Sequence, residues 1–140
     1  MARERTLCII KPDAMAQRKQ GAILQRLLDE GFEILGLCQT RFTRETAEGF
    51  YAVHRGKPFF EELCQFMTRG RILVVALERE DAVRHFREVI GATDPQKAVE
   101  GSIRQRYGAS VCENAVHGSD SVENGRRECG YFFPEQELLG

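Results

Sequence analysis

The stretch Ile72-Leu73-Val74-Val75-Ala76-Leu77 is the clearest strand signal in the sequence. Six apolar residues in unbroken succession are typical of a strand that is buried on both faces of a sheet. A second apolar run, Thr6-Leu7-Cys8-Ile9-Ile10, lies near the start of the chain and stops before Pro12. Glu33 to Gln39 predicts a third strand, although Gly36 interrupts it. The sequence therefore predicts a sheet with at least one fully buried strand.

Segments with helical spacing separate these strands and follow them. They run from Gly21 to Gly31, Arg44 to His54, Pro58 to Thr68, Glu80 to Ile90, Ile103 to Tyr107 and Asp120 to about Cys129. Thr43 is the expected N-cap of the second helix, and Asp120-x-x-Glu123 predicts a capping box at the last one. Ala115 to His117 is too short to assign.

This order of elements lacks the strict alternation of a doubly wound sheet. It favours an α/β protein of the α+β sandwich type, with a ferredoxin-like split βαβ topology and an antiparallel sheet covered by helices.

Length and composition predict one soluble globular domain. The 140 residues, with a mass of 15.9 kDa, suffice for one core but not for two, so residues 1–140 are expected to form a single domain. A hydrophobic fraction of 42%, a charged fraction of 29% and a mean hydropathy of -0.38 argue against disordered, collagen-like and membrane proteins. Twenty basic and 21 acidic residues leave a net charge of -1, which provides no global field to recruit nucleic acid or an anionic membrane.

The cysteines and the first residues indicate a cytoplasmic protein. Five cysteines form an odd set without Cys-x-x-Cys spacing, which argues against a disulfide framework or a zinc knuckle and favours a reducing compartment. The early apolar run stops at Lys11-Pro12, which is too short for the core of a signal peptide. The longest apolar stretch, residues 72–77, is far below the ~20 residues of a membrane-spanning helix.

The sequence lacks the motifs of several large enzyme classes. It contains no Gly-x-x-x-x-Gly-Lys-Ser/Thr loop, no Gly-x-Gly-x-x-Gly, no His-Glu-x-x-His and no Gly-x-Ser-x-Gly. His54, His85 and His117 lie far apart and lack metal-ligand spacing. These absences argue against P-loop, dinucleotide-binding, metalloenzyme and serine hydrolase functions.

His117 is the main candidate for chemistry. It lies in Asn114-Ala115-Val116-His117-Gly118-Ser119-Asp120-Ser121, just before a predicted helix whose N-terminus favours an anion. A neutral imidazole is a competent nucleophile near pH 7. The same residues also fit a histidine that is hydrogen-bonded in a turn, with Asp120 serving only as a helix cap.

Other residues could bind phosphate or a base, and each has a plainer interpretation. Lys11 follows a strand, where it points into a ligand crevice or is simply a solvated loop lysine. Arg87 and Arg104 flank a turn containing Thr93, where they fork onto phosphate oxygens or are helix-surface charges. Phe59 either stacks on a base or belongs to the core, and Tyr51 is equally ambiguous.

Taken in order, these residues resemble the nucleoside diphosphate kinase family from about Glu4 to Leu138. The matching motifs are Glu4-Arg5-Thr6, Ile9-Ile10-Lys11-Pro12-Asp13, Phe50-Tyr51-Ala52-Val53-His54, Lys57-Pro58-Phe59-Phe60, Gly91-Ala92-Thr93-Asp94-Pro95, Gly101-Ser102-Ile103-Arg104 and residues 114–121. One such match could be accidental, whereas all of them in order are highly specific. Because the chain ends at Gly140, it resembles the bacterial-type members with a short C-terminus.

The resemblance implies a ping-pong reaction. The γ-phosphoryl group of a nucleoside triphosphate, mainly ATP, would pass through a phosphohistidine to a nucleoside or deoxynucleoside diphosphate. By similarity, His117 is the nucleophile. Glu128 would hold the ring nitrogen that does not attack, and Ser119 would assist near the phosphoryl group.

The resemblance also implies the nucleotide contacts. The residues matched to the phosphates are Lys11, Tyr51, Arg87, Thr93 and Arg104. Asn114, together with Lys11, matches the contact to the ribose 3′-hydroxyl. Phe59 matches the platform under the base, which tolerates any base because every base has a π-face.

Mg²⁺ is the implied cofactor, bound mainly through the nucleotide phosphates and not by a protein cage. The implied partners are nucleoside triphosphates and diphosphates and further copies of the chain, in tetramers or hexamers built from dimers. The sequence does not decide between these two assemblies. A membrane is not an expected partner, nor is nucleic acid as the main one.

Several positions depart from the usual family pattern, namely Lys19, Gln20, Arg71, Arg79 and Gly125. None is a predicted site residue, so they bear on local stability and on docking between subunits.

Two alternatives come from other classes of function. A non-catalytic binding module would keep the fold and the pocket, but the intact set of Lys11, Arg104, Asn114, His117 and Glu128 argues against it. Nucleic-acid binding as the main role is disfavoured by the near-neutral charge and the scattered arginines.

Overall fold

The computed structural model describes residues 3–139 and places a four-stranded sheet at the centre of the fold. The strands are β1 (Arg3–Ile10), β2 (Glu33–Thr40), β3 (Ile72–Glu80) and β4 (Val116–Gly118). Their order is β2-β3-β1-β4, and each neighbouring pair is antiparallel. The predicted α+β sandwich with ferredoxin-like topology is therefore confirmed, and the segment that the sequence left unassigned is the edge strand β4.

Seven α-helices connect and cover these strands within residues 3–139. They are α1 (Pro12–Ala16), α2 (Gln20–Asp29), α3 (Arg44–Phe50), α4 (Phe60–Met67), α5 (Ala82–Ile90), α6 (Ile103–Tyr107) and α7 (Val122–Phe132). Helix α2 crosses from β1 to β2, and α5 leads from β3 toward β4, which gives the two halves of a split βαβ fold. No helix in this part of the chain is long and apolar enough to cross a bilayer.

Alternate residues of the two central strands face opposite hydrophobic cores, as the period of two in a strand requires. One core, shared with α2 and α5, receives Cys8, Ile10, Leu73, Val75 and Leu77. The other core, shared with α3, α4 and α7, receives Leu7, Ile9, Ile72, Val74 and Ala76. The prediction that residues 72–77 are buried on both faces is thus confirmed.

Gly36 does not break β2. The strand instead carries a bulge between Ile34 and Gly36, and the ring of Phe133 packs so closely on Gly36 that a Cβ there would lie 3.0 Å from the ring atoms. The glycine therefore allows the C-terminal segment to pack against the sheet.

Several predicted helix boundaries were wrong by a few residues, each where the backbone turns. The helix that begins at Arg44 ends at Phe50, and a 3-10 turn covers Ala52–His54. Strand β3 continues to Glu80, and Asp81 adopts a φ of 54°, so α5 begins only at Ala82. The five-residue helix α1 is too short to show a helical period and was not predicted.

Helix capping was predicted correctly at one helix and wrongly at another. Thr43 caps α3 as expected, in a capping box with Thr46. The N-cap of α7 is Ser121, whose hydroxyl accepts a hydrogen bond from the Asn124 N–H at 3.0 Å. The predicted capping box at Asp120 is therefore wrong, because the Asp120 carboxylate accepts from the Asn124 side chain at 2.6 Å instead. The helix also runs to Phe132, beyond the predicted end near Cys129.

Two of the unusual positions make local contacts. The Arg79 guanidinium donates to the Glu30 carbonyl and lies 5.5 Å from the centre of the Phe32 ring, so it packs the end of α2 against β3. The Lys19 ammonium lies 5.9 Å from the centre of the Tyr107 ring. Both contacts are within the chain and involve no site residue.

Gly125 has a packing role that the sequence did not reveal. It is buried in the middle of α7, and a Cβ at this position would lie 2.3 Å from the carbonyl oxygen of Arg5 in β1. Because the obstructing atom belongs to the backbone of a central strand, it cannot move aside cheaply. The glycine lets α7 approach β1 closely, and α7 is the helix that carries Glu128.

We expect Gly125→Ala to lower the free energy of unfolding by about 1–3 kcal/mol, because the added methyl group overpacks the helix–strand contact. Gly130→Ala on the same helix is the matched control, since nothing lies within 4 Å of a Cβ there. That variant should be neutral or up to about 1 kcal/mol more stable, through better helix propensity. Urea unfolding followed by circular dichroism compares the two. Equal stability of both variants would contradict the packing role of Gly125.

Candidate active site

A cleft of about 710 Å³ opens beside the edge strand β4. It collects nine of the ten predicted site residues, which are Lys11, Tyr51, Phe59, Arg87, Thr93, Arg104, Asn114, His117 and Glu128. These residues come from seven separate parts of the chain, so the fold brings them together. The tenth residue, Ser119, lies behind the cleft wall.

His117 lies in the middle of β4, where it pairs with Ile9 of β1. Residues paired in this way project from the same face of the sheet, so its side chain points toward the core under α3 and α7. The imidazole packs edge-on against the rings of Phe50 and Tyr51, with centroid distances of 5.3 and 6.2 Å. About 16% of its side chain stays exposed, and this part opens into the cleft.

Glu128 fixes the tautomer of this imidazole. The His117 Nε2 donates to Glu128 Oε1 at 2.7 Å. A carboxylate accepts hydrogen bonds and does not donate them, so the proton of a neutral imidazole resides on Nε2. The lone pair of Nδ1 is then available for bond formation.

The environment of Glu128 keeps its carboxylate ionised. Burial acts to raise the pKa of Glu128, but the hydrogen bonds and charge of His117 and the hydrogen bond from Ser119 outweigh it and hold the pKa below its usual range. Arg127 adds a weaker contact, with its Nη2 at 3.6 Å from Glu128 Oε2. The carboxylate is therefore a negative hydrogen-bond acceptor at neutral pH.

The structure places Ser119 differently from the position that we expected near the phosphoryl group. Its side chain is fully buried, and its Oγ donates to Glu128 Oε1 at 2.7 Å while accepting from the Leu7 N–H at 3.0 Å. Ser119 itself does not line the cleft. The hydroxyl thus connects Glu128 to the backbone of β1.

Two cations, the buried Lys11 and the half-buried Arg104, form the floor of the cleft. Lys11 is only 6% exposed, and its Nζ donates to Asn114 Oδ1 at 2.8 Å and to the Cys112 carbonyl at 3.4 Å. Arg104 donates to the carbonyls of Gly91 at 3.1 Å and Val116 at 3.0 Å. Neither cation forms an ion pair with a carboxylate of residues 3–139. The Asp13 carboxylate acts on the charge of Lys11 without forming an ion pair with it, so neither cation has a direct counter-ion among these residues.

Burial and the charge of a neighbouring arginine perturb the pKa of both cations. Burial, helped by the charge of Arg104, lowers the pKa of Lys11 to about 8. Burial, helped by the charge of Arg87, lowers the pKa of Arg104 to about 10. An anionic ligand in the cleft would reverse these effects, so the geometry favours a polyanion.

Asn114 and Tyr51 supply neutral polar groups. Asn114 is buried and links two parts of the site, because its amide donates to the Thr93 carbonyl at 3.0 Å while its oxygen accepts from Lys11. The hydroxyl of Tyr51 lines the cleft and is buried without a hydrogen-bond partner among the described residues. Burial also raises the pKa of this phenol, which keeps it protonated as a donor.

The rim of the cleft is partly apolar. Phe59 on one side is 46% exposed and Val111 is 58% exposed, and both line the opening. Arg87 and Thr93 also lie at the opening and are exposed to solvent. Flat apolar surface near cations suits a ligand with a planar ring and a charged tail.

Among the cleft residues that sequence reasoning did not assign to the site, His54 and Val111 lie near Phe59 or at the rim. His54 lies 5.2 Å from Phe59 between ring centres, and burial, together with the charge of Lys57, lowers the pKa of His54. His54 belongs to the family motif of residues 50–54, but the resemblance implied no role for it. Nothing in the sequence singled out Val111, because an isolated valine in a loop belongs to no motif and to no periodic pattern.

Comparisons with known proteins agree with this geometry. The family model described as nucleoside diphosphate kinase matches residues 4–138. The nucleoside diphosphate kinase of Sorangium cellulosum is 59% identical over 99% of this chain and 96% of its own length. That of Salinibacter ruber is 51% identical over 99% of this chain and 98% of its own.

Solved structures show the same relationship. The Aquifex aeolicus nucleoside diphosphate kinase superimposes with a TM-score of 0.95 at 45% identity, covering 99% of this chain and 100% of that one. The halophilic enzyme of Halobacterium salinarum, solved in complex with CDP, gives a TM-score of 0.93 at 38% identity, covering 99% and 93%. The resemblance inferred from the motifs is confirmed. The chain belongs to the nucleoside diphosphate kinase family and is a phosphotransferase that moves the γ-phosphoryl group of a nucleoside triphosphate to a nucleoside diphosphate through a phosphohistidine.

Proposed function

We propose that His117 is the histidine that carries the phosphoryl group and that Nδ1 is its attacking atom. The observation that supports this most strongly is the 2.7 Å hydrogen bond from Nε2 to Glu128, which leaves the Nδ1 lone pair free. His117 also has part of its ring in the cleft, which the buried Lys11 and the half-buried Arg104 line without forming ion pairs to carboxylates of residues 3–139.

The chemical step follows from this arrangement. The Nδ1 lone pair forms a bond to the γ-phosphorus while the bond from that phosphorus to the β–γ bridging oxygen breaks. The electron pair of the broken bond leaves with the nucleoside diphosphate. The proton on Nε2 stays in place, and the Glu128 carboxylate stabilises the positive charge that develops on the ring. The second half-reaction reverses these changes with another diphosphate.

The other side chains bind and orient the nucleotide. Lys11 and Arg104 would neutralise the phosphates from the floor of the cleft, with Arg87, Thr93 and the Tyr51 hydroxyl as further donors. Phe59 and Val111 would enclose the base, and Asn114 with Lys11 would contact the ribose. The CDP complex of the Halobacterium salinarum relative supports nucleotide binding in this fold. Ser119 acts in this proposal as a positioning residue that holds Glu128, a change from the role expected of it.

The donor set fits a Mg²⁺ ion that is carried by the nucleotide. Among the described residues, no group of three or more His, Cys, Asp or Glu side chains could hold a metal ion. Apart from Glu128, the carboxylates lining the cleft are Glu62 on α4 and Asp120 before α7. Phosphate oxygens would therefore provide most ligands, and the ion would neutralise charge on the β- and γ-phosphates.

We also propose the domain organisation, the assembly and the cellular compartment of the enzyme. Residues 1–140 act as one kinase domain, and dimers assemble into tetramers or hexamers. The free edge of β2 supports association, because Leu37 on this strand is 52% exposed. The five cysteines are free of disulfides, which supports a reducing cytoplasm.

Replacement of His117 tests the proposed function directly. After mixing with γ-labelled ATP, the parent protein should contain an acid-labile, alkali-stable phosphoryl group that passes to GDP. His117→Ala should show neither label nor transfer. His85→Ala is the matched control, because His85 pairs with Glu30 at 2.9 Å outside the cleft, and it should be labelled like the parent. Labelled His117→Ala protein would refute the assignment.

Replacement of Ser119 tests how Glu128 is held. Ser119→Ala removes a hydrogen bond that helps to lower the pKa of the Glu128 carboxyl group, so this pKa should rise. Because catalysis requires the ionised carboxylate, the acid limb of the profile of log kcat/KM against pH should move to higher pH.

Ser121→Ala is the control for the Ser119 experiment. It removes the N-cap of α7 and costs about 1 kcal/mol of stability, but it leaves both hydrogen bonds to Glu128 Oε1 intact. Its acid limb should coincide with that of the parent. An unshifted limb in Ser119→Ala would contradict the positioning role.

A further inference from the structure

Ala115 has a strained backbone two residues before the nucleophile. Its φ is 76°, in a region that residues other than glycine rarely adopt. The Val116 N–H donates to the Asn114 carbonyl at 2.9 Å, which closes a three-residue γ-turn with Ala115 at its centre. This turn links Asn114, whose side chain accepts a hydrogen bond from Lys11, to β4, which carries His117.

Two hydrogen bonds from the segment after β1 hold the turn. The Lys11 N–H donates to the Ala115 carbonyl at 2.8 Å. The Ala115 N–H donates to Asp13 Oδ2 at 3.0 Å. The backbone of Ala115 is thereby fixed on both sides by residues 11–13, which also carry the Lys11 ammonium.

Asp13 occupies a position that is unfavourable for a carboxylate. Its Oδ1 is buried and has no hydrogen-bond partner among residues 3–139. Burial raises the pKa of Asp13, against the opposing effects of the Ala115 N–H, the Ala14 N–H and the charge of Lys11. A buried oxygen without a partner costs stability, and the hydrogen bond from the Ala115 N–H is one of the contacts that offset this cost.

We propose that Asp13 is a positioning residue for phosphoryl transfer. Its carboxylate holds Ala115 in the γ-turn and so fixes His117 relative to Lys11 and Asn114. This inference rests on the proposed role of His117. Without the Asp13 bond, an alanine at this position favours negative φ, and the turn relaxes. Displacement of the nucleophile by about 1 Å from its aligned position can cost about 100-fold in rate.

The test uses single-turnover phosphorylation of the full-length protein by ATP. The rate constant is taken per site that becomes labelled, so that a loss of folded protein does not change it. Asp13→Ala should reduce this rate constant by at least about tenfold. The same comparison is made in the Ala115→Gly background, because glycine adopts positive φ without steric cost. In that background Asp13→Ala should reduce the rate constant by less than about threefold.

Arg18→Gly provides the matched control background. Arg18 also has a positive φ, of 60°, but lies after α1 and outside the cleft. In that background Asp13→Ala should reduce the rate constant by the same factor as in the parent. The control thereby distinguishes a relaxed Ala115 turn from a general effect of replacing a residue of positive φ with glycine.

Two results would overturn the inference. One is an unchanged rate constant per labelled site in Asp13→Ala, with only fewer sites labelled. The other is an equal loss in the parental and Ala115→Gly backgrounds. If the parent itself takes no label on His117, the proposed function fails instead, so the two failures can be told apart.

Discussion

The 2.7 Å hydrogen bond between His117 Nε2 and Glu128 Oε1 joins β4 to α7, two consecutive elements that contact β1 in different ways. β4 reaches its position by pairing with the edge of β1, and α7 reaches its position by packing on the face of β1 through Gly125. The length of this hydrogen bond therefore depends on two contacts of β1, one with β4 and one with α7. Ser119 adds a third connection, since it links Glu128 to the Leu7 amide of the same strand.

The electrostatics of the cleft complement this rigid framework. Lys11 and Arg104 are held by carbonyl and amide oxygens, which orient them without cancelling their charge. Keeping such cations shielded from bulk water without a direct counter-ion is unfavourable in the free protein, and a polyanionic ligand relieves that cost. A preorganised cation pair beside a neutral imidazole is the arrangement that phosphoryl transfer requires, because the reaction consists mainly of positioning and charge stabilisation.

The sequence predicted the elements and residues that have a local pattern. Residues 72–77 and 6–10 were recognisable because strands buried on both faces are continuously apolar. Most site residues were recognisable because they occur in ordered motifs, whereas Arg87 and Glu128 lie outside those motifs and were matched through the overall resemblance. The three-residue β4 and the five-residue α1 have no period to detect. The burial of Ser119, the place of Val111 at the rim and the positive φ of Ala115 depend on tertiary contacts. The sequence pattern pointed to Asp120 as the cap of α7, and only the backbone geometry shows that the adjacent Ser121 is the cap.

The most direct test of the account is to determine which ring nitrogen of His117 becomes phosphorylated. The protein would be labelled with ¹⁵N in its histidine rings, mixed with a nucleoside triphosphate and Mg²⁺, and examined by nitrogen–phosphorus correlated NMR. If Glu128 holds the proton on Nε2, the phosphorus couples to Nδ1 of His117. Phosphorus on Nε2, or on the ring of His54 or His85, would contradict the account.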